Sequence, residues 1–352
     1  MPNLPDSSTS SRGRDVELSV CVVSYKRKDL IVKCLDAVMS TVRSCAFEVL
    51  VCDNASQDGS VELIGNRCPD VRLIENGGNV GFGAANNQLM NRALGDFVLL
   101  LNNDCIVQEG AIDAMVEFLR HHPQAAIAGG KVIFPDGVLQ PSFQQRLEDP
   151  LANYTFMRWS RAKRQEKVLS SHRSVSERLR VSALYAREQR YDRDQEVAVV
   201  IGAFMMIRRK FIAEEGGFDG RYFMYREDSD LCVRASRAGW KVFYCHGALA
   251  EHHHITRYAR DPARARFLEA AYCESQLRFC QEHFAVWKTY LLAIALCAVA
   301  VLRMCSLGAA LLWSRRRLRT TELFGIQLRL IPLILRTLAE RSPAGGCEAR
   351  RT

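Results

Sequence analysis

The sequence predicts an α/β domain with a mostly parallel central sheet flanked by helices, followed by a C-terminal helical segment that associates with a membrane. Three observations carry this reading. Continuous apolar runs of strand length recur and end in polar residues, as strands buried on both faces do. Segments with apolar residues at the helical period separate these runs, and such alternation marks a parallel sheet. Near the C-terminus stands an apolar stretch long enough to cross a bilayer, for which about 20 residues are needed.

The elements follow in order. Residues 1–16, opening "MPNLPDSSTSSRGRD", are rich in Pro and Ser and have no apolar run, so they read as a disordered leader rather than an export signal. "LSVCVVSY" (Leu18–Tyr25) is the first strand. Leu30, Ile31, Cys34, Leu35, Val38 and Met39 mark the helix behind it. "FEVLVCD", "VRLIE" and "FVLLLNND" are the second to fourth strands, with helices around Ser60–Asn66, Gly83–Leu94 and Gly110–His121. Between 142 and 196 the rhythm breaks into a variable basic insertion, partly helical and mobile. "VAVVIGAFMMIRR" (Val197–Arg209) reads as one further strand, "KVFYC" closes the pattern, and a helix runs from about Pro262 to Phe284. The α/β domain is therefore placed at 17–285, a hydrophobic helical region at 286–340 and a disordered tail at 341–352.

Within that helical region, "YLLAIALCAVAVLRMCSLGAALLW" (Tyr290–Trp313) is bracketed by aromatic residues and followed by "RRRLR" (Arg315–Arg319). Arg303 interrupts it, at roughly 2.5–3.5 kcal/mol against a simple span. Association with the cytoplasmic leaflet is the preferred expectation, with a span and a packed helical hairpin as the alternatives.

The 352 residues are 48% hydrophobic, which excludes global disorder and provides for a sizeable core. A net charge of +9 suits anionic lipid or phosphorylated small molecules. No aromatic-interleaved basic motif is present, so nucleic acid is not an expected partner. The 13 cysteines include no C-x-x-C pair, and many lie inside apolar runs, as buried thiols of a reducing compartment do. No feature specifies an oligomeric state.

Chemistry is suggested where strands end, because ligands of such sheets bind beyond the carboxyl ends of the strands. Asp53 ends the second strand among turn formers ("VCDNASQDGS") and reads either as a loop residue or as an acceptor for a base or ribose. "ENGGNVGFGAANN" frees backbone around Gly81 at a helix N-terminus, which suits an anionic ligand but does not fit the dinucleotide or Walker spacing. Asp104, with Asn102 before it, either caps a helix or offers hard oxygen to Mg²⁺ or Mn²⁺. His252, His253 and His254 follow a strand-like run, and one of them could ligate a metal or orient a phosphate. "FMYREDSDLCVRASRAGW" packs Glu227, Asp228 and Asp230 beside apparent core: acids at the positive end of a helix, or a catalytic base.

Together "VVSYKR", "VCDNASQDGS", "NVGFGAANN", "LLLNND", "VIGAFMMIRR", "GGFDGRYFMYREDSDLCVRASRAGW" and the His cluster resemble the family 2 inverting glycosyltransferases of GT-A fold, rhamnosyltransferase-like branch, over about Leu18–Arg257. The resemblance implies a nucleotide-diphospho-sugar donor, with L-rhamnose from dTDP-rhamnose the best match. The implied acceptor is lipid-linked or a polysaccharide, in cell-surface glycan synthesis on the cytoplasmic face of the bacterial inner membrane. It further implies that Ser24, Tyr25, Asp53, Asn54, Asn79, Gly81 and Asn103 bind the nucleotide sugar. Asp104 and His252 would hold the divalent metal, Mg²⁺ or Mn²⁺. Gly202, Phe218 and Tyr225 would face the acceptor. Asp228 would be the catalytic base, with Glu227 as the other carrier of that role. The family's Asp-x-Asp motif reads Asn102-Asn103-Asp104 here, leaving one carboxylate; the branch often has Asn at the first position. Two other readings are a nucleotidylyltransferase on a similar fold, whose basic Gly-rich signature "VSYKRKDL" lacks, and a catalytically inactive membrane-attached assembly protein, which Asp53, Asp104 and Asp228 argue against.

Overall fold

The computed structural model describes residues 16–147, 174–253, 262–313 and 329–340. The leader, the tail, "RRRLR", His254 and residues 148–173 of the basic insertion lie outside them. The described residues form two units: 16–147 with 174–220 and 228–253, and 221–227 with 262–313 and 329–340.

The first unit is the α/β domain. Its first half follows the expected rhythm: β1 (Leu18–Ser24), α1 (Lys28–Thr41), β2 (Phe47–Asp53), α2 (Ser60–Arg67), β3 (Arg72–Glu75), α3 (Phe82–Met90) and β4 (Phe97–Asn102). Then come β5 (Cys105–Val107), α4 (Ala111–His121), β6 (Ala125–Ile133), β7 (Leu139–Gln140), β8 (Phe143–Gln144), the helix Val175–Glu188, β9 (Gln195–Glu196), β10 (Val199–Val200), β11 (Phe204–Arg208), the helices Arg209–Glu215 and Glu227–Arg237, and β12 (Lys241–His252). The main sheet has the order β3-β2-β1-β4-β11-β6-β12-β5.

That sheet is mixed, which corrects the expectation of a mostly parallel one. β3, β2, β1 and β4 are parallel, but β11 runs antiparallel to both β4 and β6, and β12 antiparallel to β5. A parallel pair needs a crossover of a dozen residues or more. Between β4 and β5 stand only Asn103 and Asp104, and β5 pairs with the end of β12 rather than with β4. The expected single strand Val197–Arg209 is two: β10 pairs with β8 in a small separate sheet, while β11 joins the main one, and the break falls at Ile201–Ala203. β12 runs well past "KVFYC", through a register shift between Cys245 and Leu249, and ends at His252.

Burial explains the sequence pattern. Leu18, Val20 and Val22 of β1 face Ile31, Leu35 and Val38 of α1, in a core that also takes in Ile112, Met115 and Leu119 of α4. The alternate positions Cys21, Leu50, Val98 and Leu100 are buried as well, so both sheet faces are covered and the strands read as unbroken apolar runs. Each fully buried aliphatic side chain contributes about 1.5–3 kcal/mol. Burial also pushes the thiols of Cys21, Cys34 and Cys232 far above their usual range and that of Cys52 up to about 11.

The second unit holds the helices Pro262–His283, Val286–Trp313 and 329–339, which pack through Leu277, Cys280, Leu292, Leu296, Leu330 and Ile334. Among the described residues no helix is long and apolar enough to cross a membrane.

Arg208 ends β11 and its guanidinium donates to three backbone carbonyls, Leu119 (2.6 Å), His122 (3.1 Å) and Ala125 (3.0 Å), with its plane over Phe97. It thereby satisfies the C-terminus of α4 and the start of β6. Arg208→Met removes all three bonds, each to a charged donor. We expect a loss of about 2–4 kcal/mol, read as a lower urea midpoint at unchanged m-value.

A candidate active site at the strand ends

The register sets the site. In the parallel half Ser24 lies opposite Asp53, and Val23 opposite Asn102, so β1, β2 and β4 end together. At the other side of the sheet His252 lies opposite Cys105, which places it beside Asp104.

The loops beyond these ends are stitched to one another. Asn54 N donates to Ser24 O (2.8 Å), Lys26 N to Ser56 Oγ (3.0 Å) and Lys28 N to Asp58 Oδ2 (3.2 Å). Lys26, Ala55 and Gln57 adopt the left-handed region, each at a cost of about 1–3 kcal/mol that such ties must offset. Asp53 is buried and accepts from Ser56 N (2.9 Å) and Ser56 Oγ (2.5 Å). The half-buried Tyr25 carries the Lys26 ammonium over its ring. Three asparagines then pass the order on to the glycine turn. Asn76 Nδ2 donates to Asn54 Oδ1 (2.8 Å), Asn54 Nδ2 to Asn79 Oδ1 (3.3 Å) and to Gly81 O (3.2 Å), and Gly81 N returns a bond to Asn79 Oδ1 (3.0 Å). Gly81 has φ +92°, a conformation that favours glycine, and it opens α3.

Two polar atoms in this region are buried with no hydrogen-bond partner among the described residues: Ser24 Oγ and Asn103 Nδ2. Buried polar groups are otherwise almost always paired. Their position, on the ends of adjacent strands, suits a ligand that would pair them.

Asp104 has both carboxylate oxygens engaged. Oδ2 receives Arg27 Nη2 at 3.3 Å, and Oδ1 lies 3.1 Å from His252 Nε2. His252 is buried, and its Nδ1 sits 3.0 Å from Gln140 Oε1. Nδ1–H therefore donates to Gln140, which leaves the Nε2 lone pair facing a carboxylate oxygen. The Asn102 amide, Nδ2 at 3.4 Å, is the other group at that nitrogen. Cys105 Sγ lies within 4.8 Å of ligand atoms of Asp104 and His252. Burial first, then the Asp104 charge, pushes its thiol well up, and it donates to Ala203 O (3.4 Å), so it stays a thiol and no ligand for a hard ion. Asp104 and His252 are the pair that fits a divalent metal, with oxygen ligands still to be supplied.

Asp228, in the first turn of the helix Glu227–Arg237, is held by Gly202 N on Oδ2 (3.1 Å) and by Ser229 N (2.6 Å) and Ser229 Oγ (3.2 Å) on Oδ1. Gly202 is closely packed: an added Cβ would lie 3.1 Å from the Phe82 ring, which would have to give by a few tenths of an ångström. Its neighbour Ala203 accepts from Asn102 N (3.0 Å) and Cys105 Sγ through its carbonyl. One two-residue segment, at the break between β10 and β11, thus ties Asp228 to the strand end that carries Asp104.

Asp230 is buried and accepts from Arg234 Nε (2.9 Å); Arg234 also donates to Glu215 O and Gly217 O, fixing the loop before the helix. Phe218 in that loop is buried against Phe82, ring centroids 5.8 Å apart. Glu227 and Tyr225 belong to the second unit. There Glu227 is buried, while Tyr225 is exposed edge-on to Tyr272, and Tyr225 and Arg226 have φ +73° and +68°.

Sequence reading missed Arg27, Gln140, Asn76 and Asn87. Arg27 had a signal, standing in the basic "KRK" just past a strand end. Gln140 had none, since the fold alone brings β7 to His252. Asn87 forms a paired bridge with Phe218, donating Nδ2 to its carbonyl and accepting its N–H, both 2.8 Å. Asn87→Ala breaks both bonds. We expect about 1–3 kcal/mol of lost stability and faster amide exchange across residues 216–219, read by hydrogen-exchange mass spectrometry.

The model of the family described as "Glycosyltransferase like family 2" matches residues 16–267. The N-acetylglucosaminyl-diphospho-decaprenol L-rhamnosyltransferase of Mycobacterium tuberculosis is 29% identical over 290 residues, 77% of this chain and 86% of that one. The rhamnosyltransferase WbbL of Escherichia coli is 26% identical over 249 residues, 68% and 84% of the two chains. Among solved structures, a mannosyltransferase from Pyrobaculum calidifontis in complex with GDP-Man and Mn²⁺ covers 93% of this chain at 18% identity and a TM-score of 0.49, with 88% of its own chain covered.

Proposed function

This chain belongs to the glycosyltransferase-like family 2, and on that premise we propose that it transfers a 6-deoxyhexose, L-rhamnose from dTDP-rhamnose, to a lipid-linked or polysaccharide acceptor with inversion. The relatives named for rhamnosyl transfer support the sugar, and the decaprenol-linked substrate of the mycobacterial relative supports the acceptor. The observation that carries the mechanism is the Gly202–Ala203 segment, which hydrogen-bonds Asp228 on one side and the β4 end before Asp104 on the other.

In this reading Ser24, Tyr25, Asp53 and Asn54 hold the nucleoside, and Asn79, Gly81 and Asn103 line the way to the diphosphate. Ser24 Oγ and Asn103 Nδ2 find there the partners they lack. Asp104 and His252 would hold Mg²⁺ or Mn²⁺, which supplies positive charge for the leaving diphosphate. The acceptor hydroxyl oxygen attacks the anomeric carbon as the bond to the β-phosphate oxygen breaks. The electron pair leaves with the nucleoside diphosphate, and Asp228 takes the hydroxyl proton. Gly202 N–H and Ser229 aim Asp228 at that proton, and Phe218 belongs to the acceptor side by shaping the loop. Asp228→Asn should leave dTDP affinity unchanged and cut turnover roughly 10²–10⁴-fold, as for a positioned base. Near-normal turnover would move the role to Glu227.

The same proposal places the enzyme on the cytoplasmic leaflet of the inner membrane. Trp287, Tyr290, Leu291, Ile294, Val301 and Leu302 are exposed and recur at helical spacing along Val286–Trp313, with Lys288 beside Trp287. Full-length protein should sediment with vesicles of phosphatidylglycerol and phosphatidylethanolamine, and truncation before Val286 should release it while dTDP binding persists. A full-length protein that ignores such vesicles would reject the leaflet and leave the helices as a packing hairpin only.

A further inference from the structure

Arg27 lies in the loop between β1 and α1, at the N-cap position of α1, and its side chain makes no capping bond. Its guanidinium is instead largely buried, side chain 13% exposed, against Asp104, whose side chain is 12% exposed. A buried ion pair of this kind is retained at a desolvation cost, and so asks for a reason. The packing of α1 does not give one, since Arg27 contributes nothing to the apolar face of that helix.

The carboxylate it holds is the only one in the Asn102-Asn103-Asp104 turn. A divalent ion bound by Asp104 and His252 has to take an oxygen from that carboxylate. Oδ1 already faces His252 and Oδ2 faces Arg27. A guanidinium stays charged at any physiological pH, so Arg27 competes with the ion by charge as well as by place. Its planar fork also matches phosphate oxygens in two-pronged geometry, better than it matches the single contact it makes here.

We propose that Arg27 is the coupling residue between metal and donor: it occupies Asp104 in the free enzyme and is drawn off by the diphosphate of the donor, so that the metal binds Asp104 well only once a nucleoside diphosphate is present. This deepens the proposed function and rests on its nucleoside-diphosphate donor. Arg27 acts as a positioning residue toward Asp104 and as a binding residue toward phosphate. The device suits a site with one carboxylate, where a free metal ion would otherwise bind weakly and without order. By linkage, metal and nucleotide must then strengthen each other by the same factor.

The test reads metal binding, not turnover. Free Mn²⁺ is titrated against the full chain by its aqueous EPR signal, with and without saturating dTDP. In wild type, Mn²⁺ alone should bind weakly and dTDP should tighten it. In Arg27→Gln, Mn²⁺ alone should bind roughly 5- to 50-fold tighter, within the usual span of coupling factors. The tightening by dTDP should shrink by a similar factor, and dTDP itself should bind less well. Asp104→Asn should abolish Mn²⁺ binding in both backgrounds. Arg27→Met, measured the same way, serves if the Gln variant fails to fold by circular dichroism. An unchanged or weaker nucleotide-free Mn²⁺ affinity in the Arg27 variants overturns the proposal, as does Mn²⁺ binding that survives Asp104→Asn. The nucleotide-free arm stands apart from the donor reading: if dTDP and UDP bind neither protein while Arg27→Gln still tightens Mn²⁺, the competition holds and the donor assignment fails.

Discussion

The common ending of β1, β2 and β4 is the constraint on which the rest depends. Parallel pairing in register brings Ser24, Asp53 and Asn102 to one edge without any loop having to reach for another. A slip of one residue would turn every side chain to the other face of the sheet. It would send Val20 and Val22 away from α1 and replace the polar edge with an apolar one. The cores on both faces therefore enforce the placement of the polar atoms, and catalytic geometry is a by-product of packing many ångströms deep.

The second half of the sheet is organised differently, around a turn rather than a crossover. Only Asn103 and Asp104 separate β4 from β5, so the Asp104 carboxylate sits on a tight two-residue connection, and β12 brings His252 beside it in antiparallel register with β5. The interruption between β10 and β11 then exposes the Gly202 N–H to Asp228 instead of to a neighbouring strand. A continuous strand through Gly202 would have used that donor in the ladder. The irregularity is what connects Asp228 to the strand end before Asp104.

The legible part of the fold was the part with strong periodicity. β1, β2 and β4 are rich in Val and Leu, and their helices repeat at the expected spacing. β6, "AAIAGGKVI", escaped notice because Ala and Gly carry little strand signal; Gly129 and Gly130 stand there because Val200 and Phe204 press on the backbone. The antiparallel insertion of β11 depends on long-range pairing that no local window contains. In the site, Asp104, His252 and Asp228 announced themselves as charge placed beside apolar runs. Gln140 and Asn87 did not, because their roles exist only once distant segments meet. Phe218, which the resemblance places facing the acceptor, is buried against Phe82.

The thiols buried along both faces of the sheet have a consequence for how the protein ages. While folded, Cys21, Cys34, Cys105 and Cys232 behave as small hydrophobes, inert to oxidants because solvent cannot reach them and the thiolate is suppressed. An excursion to the unfolded chain restores ordinary acidity to all of them at once. Oxidation and mispairing of the exposed thiols then compete with refolding of the sheet. The protein's lifetime in an oxidising solution then depends on the height of the unfolding barrier as well as on the equilibrium.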